Sequence, residues 1–255
     1  MKLVGGIRTD IGSFREVNQD SVLFCSKEVN GDHFALLAVC DGVGGLEKGQ
    51  VASNMITDKM LQWYEEVISW VDISSVEPEL LFAHMKDAAE IWNDELIEYN
   101  KCNGVRTGTT MSLMMIIRDY YYIVQVGDSR IYLFDNVMLE QLTVDATVSK
   151  MKNGKLKQYL DNFMGKDSPL WFTTVTGRLK EGDLFIACSD GGYHYLIPND
   201  IESVYASLNN DNEVGISCDK LINEMISRGE KDNISIGMIA IKRKKKGLKP
   251  FAKRM

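Results

Sequence analysis

The chain has 255 residues, 45% of them apolar, and a net charge of −7. That supports a substantial core in one large domain or two small ones. The apolar runs are only strand-length, which argues against a membrane-crossing segment, and the acidic balance argues against nucleic-acid binding by the folded part. Five cysteines without a CxxC pair point away from a disulfide framework and from a thiolate zinc site. Met1-Lys-Leu-Val-Gly-Gly is too short and too soon polar for a signal peptide, and Cys25, Cys40 and Cys188 sit inside apolar runs. The expected compartment is therefore the reducing cytoplasm.

In chain order, residues 3–25 read as two short strands about a turn, Leu3–Gly12 and Ser13–Asp20, followed by the run Ser21–Cys25. Arg15 stands five residues before Asp20. Arginine offers a planar fork matched to phosphate oxygens, and aspartate can hold a metal or its water; a surface ion pair is the ordinary alternative. Phe34–Cys40 carries no charge and reads as a strand buried on both faces. It ends in Asp41 and then Gly42-Val43-Gly44-Gly45, where glycine lets the backbone bend sharply and turn a carbonyl toward an ion.

Apolar spacing of three and four predicts a helix from Glu47 to about Val71 and a second from Glu79 to Lys101, with Pro78 at its entrance. Their Met and Trp stripes, and His84, are read as packing. Thr107-Gly108-Thr109-Thr110 opens the strand Met111–Ile117, Arg118-Asp119 turns, and Tyr120–Val126 returns into Gly127-Asp128-Ser129-Arg130. A second hairpin joins Arg130–Phe134 to Val137–Leu142. Residues 143–170, with Lys150, Lys152, Lys155, Lys157 and Lys166, are expected to be a mobile surface segment. Strands Trp171–Thr176 and Asp183–Cys188 precede a turn at Ser189-Asp190-Gly191-Gly192. Helices Pro198–Leu208 and Asn212–Ser227 follow, and Asp232-Asn233 opens the last strand, Ile234–Ile241. Strand blocks with grouped helices predict an α+β layered fold, one domain over residues 1–241. Residues 242–255 hold eight basic residues and no acid, and are expected to be a disordered tail.

Five aspartates, Asp20, Asp41, Asp128, Asp190 and Asp232, lie at or near strand ends. Clustered like charges repel, so convergence on one site calls for cations. Carboxylates with glycine carbonyls form an all-oxygen set that suits Mg²⁺, Mn²⁺ or Ca²⁺. The three histidines form no H-E-x-x-H, and there is neither a P-loop nor a C-x₅-R motif. What remains is metal-assisted hydrolysis at a pair of divalent ions. Asp41 would bridge them, Asp190 and Asp232 would hold one, the Gly42 carbonyl the other, and Arg15 the phosphate, with no covalent intermediate.

Arg15…Asn18-Gln19-Asp20, Asp41-Gly42-Val43-Gly44-Gly45, Thr107–Thr110, Val126–Arg130, Phe163-Met164-Gly165, Ser189-Asp190-Gly191 and Asp232-Asn233 occur in this order across nearly the whole chain. In this the chain resembles the metal-dependent serine/threonine protein phosphatases of type 2C, in their compact stand-alone bacterial form. The resemblance implies two antiparallel sheets packed as a sandwich and flanked by helix pairs, a four-layer α-β-β-α arrangement. It also implies Mn²⁺ or Mg²⁺, with Asp128 and Asp190 at a third, weaker ion and Asp20 in the outer shell. The implied partners are phosphoproteins, including a serine/threonine kinase and its substrates, with no nucleic acid and no stable membrane insertion. Three positions depart from the family pattern: Gln19 in place of an acid, Ala146 in Asp145-Ala146-Thr147 in place of a histidine, and Gly192-Tyr193-His194 after Ser189-Asp190-Gly191. Two other readings follow the residues less closely: a catalytically weak phosphoprotein-binding or regulatory module that retains the fold, and a metal phosphodiesterase or nucleotidase.

Overall fold

A computed structural model describes residues 1–43, 46, 48–70, 77–152 and 154–243. In chain order the elements are β1 (Lys2–Asp10), β2 (Ser21–Val29), β3 (Asp32–Cys40), α1 (Gly49–Trp70), α2 (Pro78–Asn103), β4 (Met111–Ile117), β5 (Tyr120–Val126), β6 (Arg130–Phe134) and β7 (Leu139–Gln141). They continue with β8 (Thr147–Lys152), β9 (Lys155–Leu160), β10 (Thr173–Arg178), β11 (Leu184–Cys188), α3 (Asp190–Tyr193), α4 (Pro198–Tyr205), α5 (Asp211–Ser227) and β12 (Ile234–Lys242).

The strands form two five-stranded antiparallel sheets, ordered β1-β12-β11-β6-β7 and β10-β5-β4-β3-β2, and a separate hairpin, β8-β9. Alternation along β3 explains the layering. Phe34, Leu36, Ala38 and Cys40 pack with Ile56, Met60 and Trp63 of α1 and Met85, Trp92 and Leu96 of α2. Ala35, Leu37 and Val39 face the other way, onto Phe185, Ala187, Ile239 and Ile241 of the first sheet. That sheet's outer face, including Ile186 and Met238, is covered by Ile201 and Val204 of α4 and Val214 and Leu221 of α5. A strand buried on both faces can have no polar alternation, which is why its run is uninterrupted. The layers are therefore helix, sheet, sheet, helix, as expected.

Several expected elements differ. Ser13–Asp20 is not a strand; its polar side chains bind local backbone instead, as where Asn18 Oδ1 accepts the Asp20 N–H at 3.1 Å. Within the segment expected to be mobile surface, Thr147–Lys152 and Lys155–Leu160 pair as the β8–β9 hairpin, two six-residue strands on either side of the sequence Asn153-Gly154. Asp190 begins a short helix, α3, and Trp171–Thr176 shifts to Thr173–Arg178. The second strand of the later hairpin is only Leu139–Gln141. The glycines at 44 and 45, Val71 and residues 244–255 lie outside the described residues. All five cysteines are free, and no described helix is long and apolar enough to cross a membrane.

Candidate active site

The cleft lies where strand ends from both sheets meet, and it encloses about 220 Å³. Asp41 follows β3, Asp128 sits between β5 and β6, Asp190 follows β11, and Asp232 precedes β12. These four, with Arg15, Gln19, Gly42, Val43, Thr110 and Leu160, line the cleft. Asp20 is buried beside them without lining it.

Two threonines of one motif, Thr109 and Thr110, fix the Asp41 backbone. Its N–H donates to Thr110 Oγ1 at 2.9 Å, and its carbonyl accepts from the Thr110 N–H at 2.8 Å and Thr109 Oγ1 at 2.9 Å. Thr110 Oγ1 in turn lies 2.7 Å from Ser129 Oγ, so the motif around Asp128 braces the one around Asp41. The Gly42 N–H donates to the Gln19 carbonyl at 3.1 Å, and a Cβ at Gly42 would stand 2.7 Å from that oxygen, so only glycine fits. Asn233 ties the 11–19 segment to the same edge: its Nδ2 donates to the carbonyls of Ile11 and Val17, and its Oδ1 accepts the Gln19 N–H at 2.9 Å.

Arg15 faces the cleft through an ion pair. Its Nε donates to Asp232 Oδ1 at 2.8 Å and its Nη2 to Asp232 Oδ2 at 2.5 Å. The residue expected to hold phosphate and one expected to hold metal are thus engaged with each other.

Burial, with crowding behind it, sets the electrostatics. Burial, then the charges of Asp20, Asp190, Asp128 and Asp232, push the Asp41 carboxyl well above the usual range. Burial and then Asp232 raise Asp190. Burial, then Asp190 and Asp145, push Asp128 up to about 6. Burial lifts Asp20 to about 7, although the Ser235 and Ser189 hydroxyls favour its charged form. One Asp20 oxygen, Oδ2, is buried without a hydrogen-bond partner. Hard divalent cations fit this donor set: every candidate ligand is oxygen, and the acids are forced toward protonation in the absence of positive charge. The carboxylates do not close on one point, since among the described residues no three His, Cys, Asp or Glu side chains form a metal-binding group.

The family model of protein phosphatase 2C matches residues 14–235, a span that includes Arg15 and all five aspartates. The chain belongs to the protein phosphatase 2C family. This phosphatase is 27% identical over 248 residues to the serine/threonine phosphatase stp of Listeria monocytogenes serotype 4b, an alignment covering 91% of this chain and 93% of that one. It is 26% identical over 250 residues to a putative protein phosphatase 2C-type of Streptococcus pyogenes serotype M6, covering 91% and 95%. The crystal structure of the serine/threonine phosphatase Stp1 from Staphylococcus aureus matches at a TM-score of 0.76 and 22% identity over 95% of this chain and 96% of that one. That likeness concerns the fold, and it matches the expected α+β sandwich.

The phosphatase's three departures each have a structural setting. The Gln19 side chain packs on Gly49, where a Cβ would lie 3.0 Å from its Nε2, while the Gln19 carbonyl accepts from Gly42 and from Ser53 Oγ at 2.6 Å. Ala146 is buried, and its backbone bonds Gly127 and Asp161 at 2.9 and 2.8 Å. Beside it, Asp145 receives Arg130 Nε at 3.0 Å and Nη2 at 2.7 Å, and the Arg130 guanidinium stacks 3.7 Å over Tyr193. His194 Nδ1 lies 3.2 Å from Glu230 Oε2. Glu230, absent from the expected site, accepts the N–H groups of Lys231 and Asp232 on Oε1 at 2.6 and 2.9 Å and so shapes the turn that presents Asp232. Its only sequence signal is an acid two residues before the strand-opening Asp232.

Proposed function

We propose that this phosphatase hydrolyses phosphoserine and phosphothreonine monoesters in proteins, with water as the nucleophile. The observation that carries this reading is the meeting of four aspartates, distant in sequence, in one cleft with Arg15. In the proposed site Asp41, the Gly42 carbonyl, Asp190, Asp232 and Asp128 hold Mn²⁺ or Mg²⁺, two ions or three, with Asp20 behind them in the outer shell. When bound, such ions lower the pKa of a coordinated water and neutralise phosphoryl oxygens.

The protein's own groups do the rest. Arg15 presents a two-pronged donor to the phosphoryl oxygens once it leaves Asp232. Thr109 and Thr110 hold the Asp41 backbone rigid, so its carboxylate is aimed without reorganisation. Val43 and Leu160 give the cleft an apolar wall. Among the described residues the lining offers no cysteine or histidine, and the Thr110 hydroxyl is engaged, which favours direct attack by water over a covalent intermediate. Phosphoproteins, including a serine/threonine kinase and its substrates, are the proposed partners, in the cytoplasm.

The test is phosphate release from p-nitrophenyl phosphate and from a phosphothreonine peptide, with and without Mn²⁺. Metal-dependent release from both is expected. Calorimetric Mn²⁺ binding without turnover, from well-folded protein, would instead favour the non-catalytic phosphoprotein-binding reading.

A further inference from the structure

The end of the first sheet remote from the cleft is basic and apolar at once. β12 begins two residues after Asp232, which lines the cleft, and runs nine residues to Lys242, so its far end lies about 30 Å from the cleft. There Lys2 stands opposite Lys242 in the β1–β12 register, a like-charged pair. Lys2, Lys242 and Arg243 line one cavity, in which Glu181 is the single acid. Among the described residues neither Lys2 nor Arg243 has a carboxylate partner.

The β6–β7 turn emerges at the same level. Leu184 is in register with both Ala240 and Phe134, so the end of β6 is level with the end of β12 and about 10 Å from it across the sheet. Asp135 Oδ1 accepts the N–H groups of Val137 and Met138 at 3.0 and 2.9 Å, and the turn it closes presents both side chains to solvent. Val137 is 81% exposed and Met138 58%. A single exposed apolar residue is ordinary, but two in succession on a turn beside a basic surface form a combined feature.

The sequence extends the same chemistry. After Arg243 come Lys244, Lys245, Lys246, Lys249, Lys253 and Arg254, with Leu248, Phe251 and Met255 among them. This basic stretch stands on a chain whose net charge is −7, so the rest of the chain is more acidic than the whole. A ligand for this end must be a polyanion and must also offer an apolar layer. Nucleic acid meets only the first requirement, and its length would bring it against the acidic body. A bilayer meets both, with phosphate headgroups over an apolar interior, and it touches one end of the molecule alone.

We propose that this end docks on a bilayer containing anionic phospholipid. Val137 and Met138 enter the interfacial layer, the basic residues lie on the headgroups, and the cleft stands about 30 Å above them on the side away from the bilayer. The contact is peripheral, since no described helix is long and apolar enough to cross a membrane.

The experiment is flotation of the full chain with vesicles of phosphatidylcholine alone and of phosphatidylcholine with about one third phosphatidylglycerol, in low salt and in about 0.5 M salt. The wild type is compared with Val137→Ser/Met138→Ser and with Lys244→Gln/Lys245→Gln/Lys246→Gln/Lys253→Gln/Arg254→Gln. Neither variant touches a group of the proposed catalytic site, and each is expected to keep the wild-type thermal transition. The wild type is expected to bind anionic vesicles at least about tenfold more tightly than neutral ones, and less so in high salt. For anionic vesicles the basic-stretch variant is expected to lose about tenfold in affinity and the turn variant about threefold. Equal binding to both kinds of vesicle, or wild-type affinity in either variant, would overturn the docking. A duplex oligonucleotide that binds the wild type more tightly than anionic vesicles do, and binds the turn variant equally well, would overturn it in favour of a nucleic-acid face. None of these readouts involves catalysis, so their outcome is independent of the proposed phosphatase reading.

Discussion

Arg15 holds both carboxylate oxygens of Asp232, a residue 217 positions away, at 2.8 and 2.5 Å. While the pair persists, Arg15 Nε and Nη2 and one lone pair on each Asp232 oxygen are withheld from their proposed partners. A cation that takes Asp232 frees the guanidinium for phosphate, so cation and phosphate binding should assist each other.

Arg15→Ala separates the two roles. Removing the guanidinium deletes a competitor for Asp232 and a positive charge beside the cation site, so Mn²⁺ affinity by calorimetry should rise about three- to fivefold. KM for p-nitrophenyl phosphate should rise by roughly tenfold, because a charge-assisted contact to the substrate is lost. Unchanged Mn²⁺ affinity would show that the ion pair does not oppose metal binding.

Asp41→Asn and Asp190→Asn should each lower kcat on the order of 10³-fold and weaken Mn²⁺ binding. The same changes remove a charge from a crowded cluster. In chelator, each should therefore raise Tm by about 2–4 °C for every kcal/mol of repulsion relieved. Near-wild-type turnover in both variants would remove these residues from the site.

The raised acids also set a pH dependence. Asp20 titrates at about 7 in the fold against an ordinary value of 3.8, and Asp128 at about 6. Between those values the folded metal-free protein binds more protons than the unfolded chain, so stability falls as pH rises through this window. The cost of holding these buried, crowded acids charged is complete above about 7 and absent below about 4. Asp200 runs the other way. Burial lifts it, but the Arg228 fork and the Ile197 N–H outweigh burial, so the stability it contributes is lost as pH falls below the ordinary carboxylate range, outside the window. Thermal scans in chelator should accordingly give a higher Tm near pH 5.5 than near pH 8. Saturating Mn²⁺ should reverse that order, because ions bind the deprotonated acids. A metal-free Tm that climbs toward pH 8 would contradict the crowding.

Gly42→Ala tests the backbone rather than the charge. The new Cβ would meet Gln19 O and Gly49 C, each at 2.7 Å, and both are main-chain atoms that do not yield cheaply. The variant should lose about 1–3 kcal/mol in denaturant unfolding and bind Mn²⁺ more weakly, since its carbonyl must shift with the turn. Wild-type values for both would mean that the turn is looser than its packing implies.

Much of the fold and of the site is legible in the sequence. The unbroken run Phe34–Cys40 announces burial on both faces, and aspartates at strand ends announce a shared edge, because edges are where a sheet's polar residues leave the core. The hairpin is less legible. Its lysines suggest a solvated loop, and only the period-2 alternation around Asn153-Gly154 argues for strands. Ser13–Asp20 misleads in the opposite sense, since its conformation depends on Asn233, far away in sequence. The Arg15–Asp232 pair is a tertiary fact that no local pattern encodes, whereas the Glu230 brace behind Asp232 is local and shows in the sequence only as an acid two residues before it.

Asp41 and Gly42 hang from one leaf of the sandwich, while Asp190 and Asp232 hang from the other. An ion shared among them would rivet the leaves together at their rim. Prising the leaves apart would then mean surrendering the metal, so the protein's hold on its cofactor and its resistance to coming open along that seam become a single quantity.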